Sequence, residues 1–289
     1  MVSQSWTFNS VPVLADHHFR HWKSVFEHLT GIQLSLERET FVRAVLQKRI
    51  IEKGASCFEN YLHLLLSSPA FSRPEWEILF DRILIGETRF FRHRPSFDFV
   101  ASYVRDRLRN QPGGQAFVKA WSLGCSTGEE AYSLAMVIYK VCRGAVAPAT
   151  FRVVGTDINR TSLDRARDGV YRNIDGRGVE PAMAQAFFAP QGAGLWKVKD
   201  IICDKVSFFY NNMLEPATSS LLRDFDLISC QNVLIYLQRW RRRAVVRQLI
   251  PSLKVGGVLI VGAGDLSGWK PEGLERVAIA DIQAYRRVF

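Results

Sequence analysis

The chain lacks paired cysteines. Cys57, Cys125, Cys142, Cys203 and Cys230 are odd in number and form no Cys-x-x-Cys spacing. That argues against a disulfide framework or a zinc site and suits a reducing cytoplasm. It lacks any run approaching the ~20 apolar residues of a membrane helix. Its first residues, MVSQSWTFNSVPVLADHHFR, hold no basic region followed by an apolar core, so no signal peptide is expected. There is no internal repeat and no low-complexity tract. Histidine is absent after His93; the others are His17, His18, His21, His28 and His63.

What is present suffices for one large α/β domain and a small partner domain, with 289 residues and 47% hydrophobic content. The net charge of +10 favours anionic partners such as nucleic acid or an acidic protein surface, without choosing between them. RLRNQPGGQ, with Pro112 and Gly113-Gly114, reads as a linker or sharp loop.

Before that linker the pattern is helical. In SRPEWEILFDRILIG, Ser72 reads as a cap, Pro74 as a first-turn proline and Glu75 as its capping-box partner. Trp76, Leu79, Phe80, Ile83 and Leu84 follow at helical spacing. LERETFVRAVLQKRIIEKG is a second helix, with Val42, Leu46 and Ile50 at four-residue steps. After the linker, strands and helices alternate: AFVKAWSLG, EEAYSLAMVIYKVC, TFRVVGTDI, RTSLDRARDGVY, DLISCQNVLIYL, RRRAVVRQLIPSLKVGG and GVLIVGAG. This order predicts an α/β fold with a mostly parallel, doubly wound sheet. VAIADIQAYRRVF reads as a closing strand. The segment AFFAPQGAGLWKVKDIICDKVSFFY alternates around Gly-rich turns and reads as a small antiparallel insert.

WSLGCSTGEEAYSLAM contains Gly124-x-Ser126-x-Gly128, the pattern of a hydrolase nucleophile elbow. In that fold an acid and then a histidine follow the serine. No histidine follows Ser126, so a cofactor cradle is the better reading. Gly124 and Gly128 then admit a ligand close to the backbone, and Asp157 ends the second strand as a ribose acceptor. The spacing is not G-x-G-x-x-G, Asp157 lies 29 residues beyond Gly128, and no P-loop lysine follows. These features favour a single-nucleoside cofactor without a pyrophosphate, such as S-adenosylmethionine.

Six stretches now carry a resemblance: GETRFFRHRPSFD, WSLGCSTGEEAYSLAM, GTDINRTSLDRARDGVY, VSFFYNNMLE, FDLISCQNVLIYL and LKVGGVLIVGAGD. The chain resembles the chemotaxis-receptor glutamate methyltransferases, the CheR family, over nearly its whole length. The resemblance implies S-adenosylmethionine-dependent methylation of glutamate side chains on a chemoreceptor's cytoplasmic domain. It implies a class I methyltransferase domain, Rossmann-like, with a small all-α N-terminal domain and an inserted antiparallel β-subdomain. The expected boundaries are 1–88 for the helical domain, 89–115 for a connecting segment and 116–289 for the methyltransferase domain, with the insert at about 185–210. By the same resemblance, Arg92 and Tyr236 lie at the reacting centre, and Thr88 and Arg92 belong to the cofactor site. Glu130 and Asp157 contact adenosine and ribose, Asn212 and Met213 line the adenine side, and Cys230, Gln231 and Asn232 sit beside the methionine moiety. No metal is expected, and the protein is expected to be cytoplasmic and monomeric. Arg38, Arg43, Lys48, Arg49 and Lys53 are candidates for steering a glutamate-rich receptor.

The sequence departs from the family at Gly86, where Asn is usual, at Gln231, where Arg is usual, and at Ala131, where Pro is usual. Gly262 to Asp265, GAGD, replaces G-H-S-E. Two alternatives stay open: a non-catalytic module binding S-adenosylmethionine or S-adenosylhomocysteine, and a nucleic-acid methyltransferase suggested only by the charge. No aromatic-basic platform for a flipped base is evident.

Overall fold

A computed structural model describes residues 14–84, 86–110, 116–174, 178–215 and 220–289. The expected linker residues Pro112, Gly113 and Gly114 lie outside the described residues, as do most of the N-terminal residues read for a signal peptide. The chain forms two compact units, Met1–Leu84 and Ile85–Phe289.

The first unit is helical: α1 (Asp16–Thr30), α2 (Leu36–Glu52), α3 (Phe58–Ser67) and α4 (Pro69–Ile83). The four-residue spacing of α2 puts Val42, Leu46 and Ile50 inward, all fully buried. Trp22 on α1 stacks between Phe26 and Trp76 at 5.1 and 6.2 Å. The start of α4 corrects the sequence reading. The helix begins at Pro69, after an extended Ser68, so Ser72 and Pro74 lie inside it. Pro69 is the proline that fits the first helical position. Glu75 is no cap residue. It is fully buried and accepts from Arg49 Nε at 2.8 Å and from the Tyr61 hydroxyl at 2.6 Å.

That cluster engages part of the basic set expected to steer docking. Arg49 is buried against Glu75, and Lys53 lies 3.5 Å from the same carboxylate. Arg43 pairs with Asp16 at 2.9 Å and covers the Phe19 ring at 4.0 Å. Arg38 donates to the Ile83 carbonyl. Lys48 sits at the limit of pairing with Glu52, 4.0 Å away. Arg38, Arg43, Arg49 and Lys53 thus carry contacts within the helical unit, whereas the Lys48 side chain is largely exposed.

In the second unit, α5 (Arg94–Arg109) precedes β1 (Ala116–Leu123), α6 (Glu129–Arg143), β2 (Ala149–Asp157) and α7 (Arg160–Asp168). There follow β3 (Val170–Arg172), α8 (Pro181–Phe187), β4 (Phe188–Gly192), β5 (Leu195–Val198), α9 (Asp200–Cys203) and β6 (Val206–Tyr210). The chain closes with β7 (Phe225–Cys230), α10 (Arg239–Leu249), β8 (Leu253–Val261), β9 (Leu274–Val277) and β10 (Gln283–Arg287). The main sheet runs β6-β2-β1-β7-β8-β10-β9. Its first five strands are parallel; β10 runs antiparallel to β8, and β9 runs antiparallel to β10. Every residue of β7 is buried, as suits a central parallel strand.

The sheet order reverses beside β1. From β1 the chain goes outward through β2 to β6, then returns to β7 on the other side. In such sheets ligands bind beyond the carboxyl ends of the strands at the switch point.

The small sheet is antiparallel, in the order β3-β5-β4. Its composition differs from the expected insert at about 185–210. Val170–Arg172, expected to end a helix, forms its edge, because Gly169 adopts φ 62° and stops α7. Val206–Tyr210, expected in the insert, instead joins β2 in the main sheet. As an edge strand it is only partly covered, with Phe208 buried and Phe209 and Tyr210 exposed.

Candidate active site

The turn after β1 is built from left-handed backbone. Gly124, Ser126 and Gly128 have φ of 73°, 49° and 95°. A side chain at Gly124 would strike Val233 at 2.3 Å, and one at Gly128 would meet Ala166 at 2.8 Å. Both glycines are therefore demanded by packing inside the protein. Packing requires glycine at both positions whether or not a ligand also approaches the backbone there. Ser126 is a turn residue: its N–H donates to Asp157 at 2.8 Å and its hydroxyl to the Gly86 carbonyl at 3.2 Å.

Asp157 ends β2. Its carboxylate also accepts from the Asn159 N–H at 2.9 Å. Burial pushes its pKa above the usual carboxylate range, against those backbone hydrogen bonds. Glu130, in the first turn of α6, accepts from the Ser122 hydroxyl of β1 at 2.7 Å. Burial raises its pKa too, opposed by the Ser122 and Ser229 hydroxyls and the charge of Arg92. Neither carboxylate forms an ion pair among the described residues.

Electrostatics tie these positions together. Glu130 feels Arg92, and the Cys125 thiol feels both Asp157 and Glu130. The buried Cys230 thiol feels Glu130 and Asp265, with burial the main cause of its raised pKa. Asp157 ends β2 and Cys230 ends β7, on either side of β1, whose Ser122 holds Glu130, and the charge of Arg92 acts on Glu130. Arg92 is exposed and donates to the Glu87 carbonyl at 2.8 Å. Gly86 and Thr88 flank that carbonyl along the chain.

Asn212 and Met213 follow β6, half-buried, where Asn211 N–H donates to the Asp157 carbonyl at 3.1 Å. Asn232 adopts φ 59° just past β7, a left-handed conformation that Asn tolerates better than most residues. Tyr236 ends the short 3-10 turn Leu234–Tyr236. Its half-buried side chain makes no hydrogen bond among the described residues.

Sequence reasoning missed a hydrogen-bonded row. His93 Nδ1 meets the Ser96 hydroxyl at 2.8 Å, and that hydroxyl donates to Gln231 Oε1 at 2.9 Å. Gln231 Nε2 donates to the Ser229 hydroxyl at 3.2 Å, and the Ser229 hydroxyl in turn opposes the rise of the Glu130 pKa. His93 therefore belongs to the same compact unit as the site, although it precedes Ser126 in the chain. The available signal was polar: Ser122 and Ser229 lie near the carboxyl ends of β1 and β7, among buried neighbours.

The residues fit an S-adenosylmethionine cradle. Asp157, at the end of β2, and Glu130, in the first turn of α6, form no ion pair among the described residues and are acceptors suited to ribose hydroxyls and adenosine donors. A separate cavity of about 800 Å³ is lined by Phe97, Leu108, Val137 and Val141, and none of the expected site residues borders it. Among the described residues, no cluster of His, Cys, Asp or Glu could hold a metal, and no helix is long and apolar enough to cross a membrane.

The CheR methyltransferase SAM-binding domain matches residues 86–277. This chain belongs to the CheR methyltransferase family. The all-alpha domain of the same family matches residues 17–84. Chemotaxis protein methyltransferase 1 of Pseudomonas aeruginosa is 29% identical over 275 residues, covering 94% of this chain and 98% of that protein. The chemotaxis protein methyltransferase of Escherichia coli is 30% identical over 252 residues, covering 86% and 84%. Chemotaxis protein methyltransferase 1 of Vibrio cholerae is 31% identical, covering 87% and 90%. The protein is an S-adenosylmethionine-dependent methyltransferase of class I fold, and S-adenosylhomocysteine is the product left by its cofactor.

Proposed function

We propose that the chain methylates glutamate side-chain carboxylates on the cytoplasmic domain of a chemoreceptor. The observation that carries this reading is Arg92, an exposed cation whose charge acts on Glu130 and which, among the described residues, donates to the Glu87 carbonyl. A cation at the mouth of the cradle suits an anionic acceptor. The names of the relatives, chemotaxis methyltransferases, support the receptor as its source.

S-adenosylmethionine supplies an electrophilic methyl group when bound. Asp157 and Glu130 hold its ribose and adenosine donors, with Asn212 and Met213 on the adenine side. Cys230, Gln231, Asn232 and Thr88 border the remainder. A glutamate carboxylate has an ordinary pKa of about 4.3, so it is ionised near neutral pH and needs no base. Arg92 and Tyr236 orient it by donated hydrogen bonds. Rate then derives from alignment and exclusion of water. Arg92 must not bind the carboxylate more tightly than the transition state, because uniform binding does not raise the rate.

The test is methyl transfer to candidate receptor cytoplasmic fragments, read as methanol released by alkali. Arg92→Ala lowers transfer while leaving S-adenosylhomocysteine bound. Alkali-stable methylation, or label that follows RNA, overturns the reading.

A further inference from the structure

Between Asp226 and Asp265 the chain carries no carboxylate, yet it holds Arg239, Arg241, Arg242, Arg243, Arg247 and Lys254. Lys254 pairs with Asp226 at 2.9 Å. Arg242 turns inward to the carbonyls of Leu237 and Ile235. The other four, all on α10, pair with no carboxylate among the described residues. Nothing in the established chemistry of the site uses them.

Their arrangement is regular. Arg239, Arg243 and Arg247 are exposed and stand four residues apart. On a helix that spacing makes one stripe with about 6 Å between successive members. The guanidiniums of Arg243 and Arg247 both lie over the Trp269 ring, at 5.6 and 5.5 Å. Arg241 lies over Trp240 at 4.8 Å, and that indole is 61% exposed. Stacking on an indole holds a guanidinium flat, which lowers the ordering cost when it binds. Arg239 stands three residues past Tyr236 in the chain.

We propose that this face of α10 docks an acidic helix of the methyl-accepting protein, one with carboxylates at four-residue steps. The inference rests on the function proposed above for its partner, and on the stripe alone for its chemistry. The match is geometric. Carboxylates at i, i+4 and i+8 repeat at the spacing of the three arginines, and each presents two oxygens to a planar fork. A membrane surface or a nucleic-acid strand needs positive charge but no such period.

The experiment uses the full chain and two alanine-based helical peptides of identical composition. One carries glutamate at every fourth position; in the other the glutamates are dispersed around the helix. The aligned peptide binds more tightly. Arg243→Glu with Arg247→Glu lowers that affinity about tenfold at low salt, and the loss shrinks at high salt. Arg243→Lys with Arg247→Lys retains most of the binding, and the melting temperature checks the fold of each variant. With a receptor fragment that accepts methyl groups, the Glu variant raises KM about tenfold and leaves kcat and S-adenosylhomocysteine affinity unchanged. An unaltered KM and unaltered peptide binding overturn this surface while the proposed reaction stands. If the wild type methylates no receptor fragment, the proposed reaction fails and the peptide comparison still decides the surface. Binding to phosphatidylserine vesicles or polyuridylate that depends on Arg243 and Arg247, with no preference for the aligned peptide, also overturns it.

Discussion

Arg242 donates from Nη2 to the carbonyl of Ile235 at 3.0 Å. Its Nε donates to the Leu237 carbonyl at 2.9 Å. These two carbonyls flank Tyr236, so the first turn of α10 holds the backbone on both sides of that phenol. Nη1 lies 3.8 Å from Asp265, whose other oxygen accepts the Gly262 N–H at 2.9 Å. Asp265 thus links the end of β8 to the Tyr236 turn.

Arg242 is accordingly a positioning residue. Arg242→Ala is expected to lower kcat roughly tenfold, about 1.4 kcal/mol, with S-adenosylhomocysteine affinity little changed. If the effect passes through Tyr236, the double variant with Tyr236→Phe is no slower than Tyr236→Phe alone. Additive losses in steady-state kinetics contradict the linkage.

Glu130 makes stability depend on pH in an unusual direction. Its folded pKa lies above the unfolded value, chiefly through burial. The folded state therefore binds more protons across that window, and stability falls as pH rises through it. Glu130→Gln removes this cost. The cofactor-free variant should melt higher than wild type near neutral pH, and the gap should close below the ordinary glutamate range of about 4.3. The same change weakens S-adenosylhomocysteine binding. Melting curves across pH and calorimetric titration measure the two effects, and a variant less stable at neutral pH refutes the assignment.

Much of this was legible because parallel βα alternation is written in periodicity. The buried rows of α2 and the strands β1, β2, β7 and β8 follow from apolar spacing. The strand-end positions of Asp157, Cys230 and Asn232 follow from those strands. What was not legible depends on tertiary context. Glu75 has the sequence position of a capping residue, yet its partner Arg49 is 26 residues away. Val206–Tyr210 joins the main sheet only through its pairing with β2, which lies about 50 residues earlier in the chain. His93 joins the site only because Ser96 and Gln231, 135 residues apart, meet at 2.9 Å.

Gly124 separates two physical readings of the glycine turn. A β-carbon there lies 2.3 Å from Val233 and requires φ near 73°. Gly124→Ala should destabilise the turn by roughly 1–3 kcal/mol and reduce S-adenosylhomocysteine affinity. Val233→Ala removes the struck methyl groups, so adding it to Gly124→Ala restores part of both losses. No recovery in melting or titration would instead place the clash on the ligand side.

Glu75 tests the other compact unit. Burial alone would raise its pKa, but Arg49 and the Tyr61 hydroxyl outweigh that and hold it below the usual range. A depressed folded pKa contributes stability that is present above the unfolded value and lost as pH falls through the folded one. Glu75→Ala leaves Arg49 buried without its main partner, which costs about 3–5 kcal/mol. Glu75→Gln keeps the shape and a hydrogen-bond acceptor but loses the charge, so it falls between alanine and wild type. In both variants the acid limb of the stability profile flattens for the helical unit, because the group that titrates there is gone. Denaturant unfolding followed by tryptophan fluorescence reads this directly, since Trp22 and Trp76 stack in that core. An undiminished acid limb in Glu75→Gln would show that a different carboxylate controls the transition.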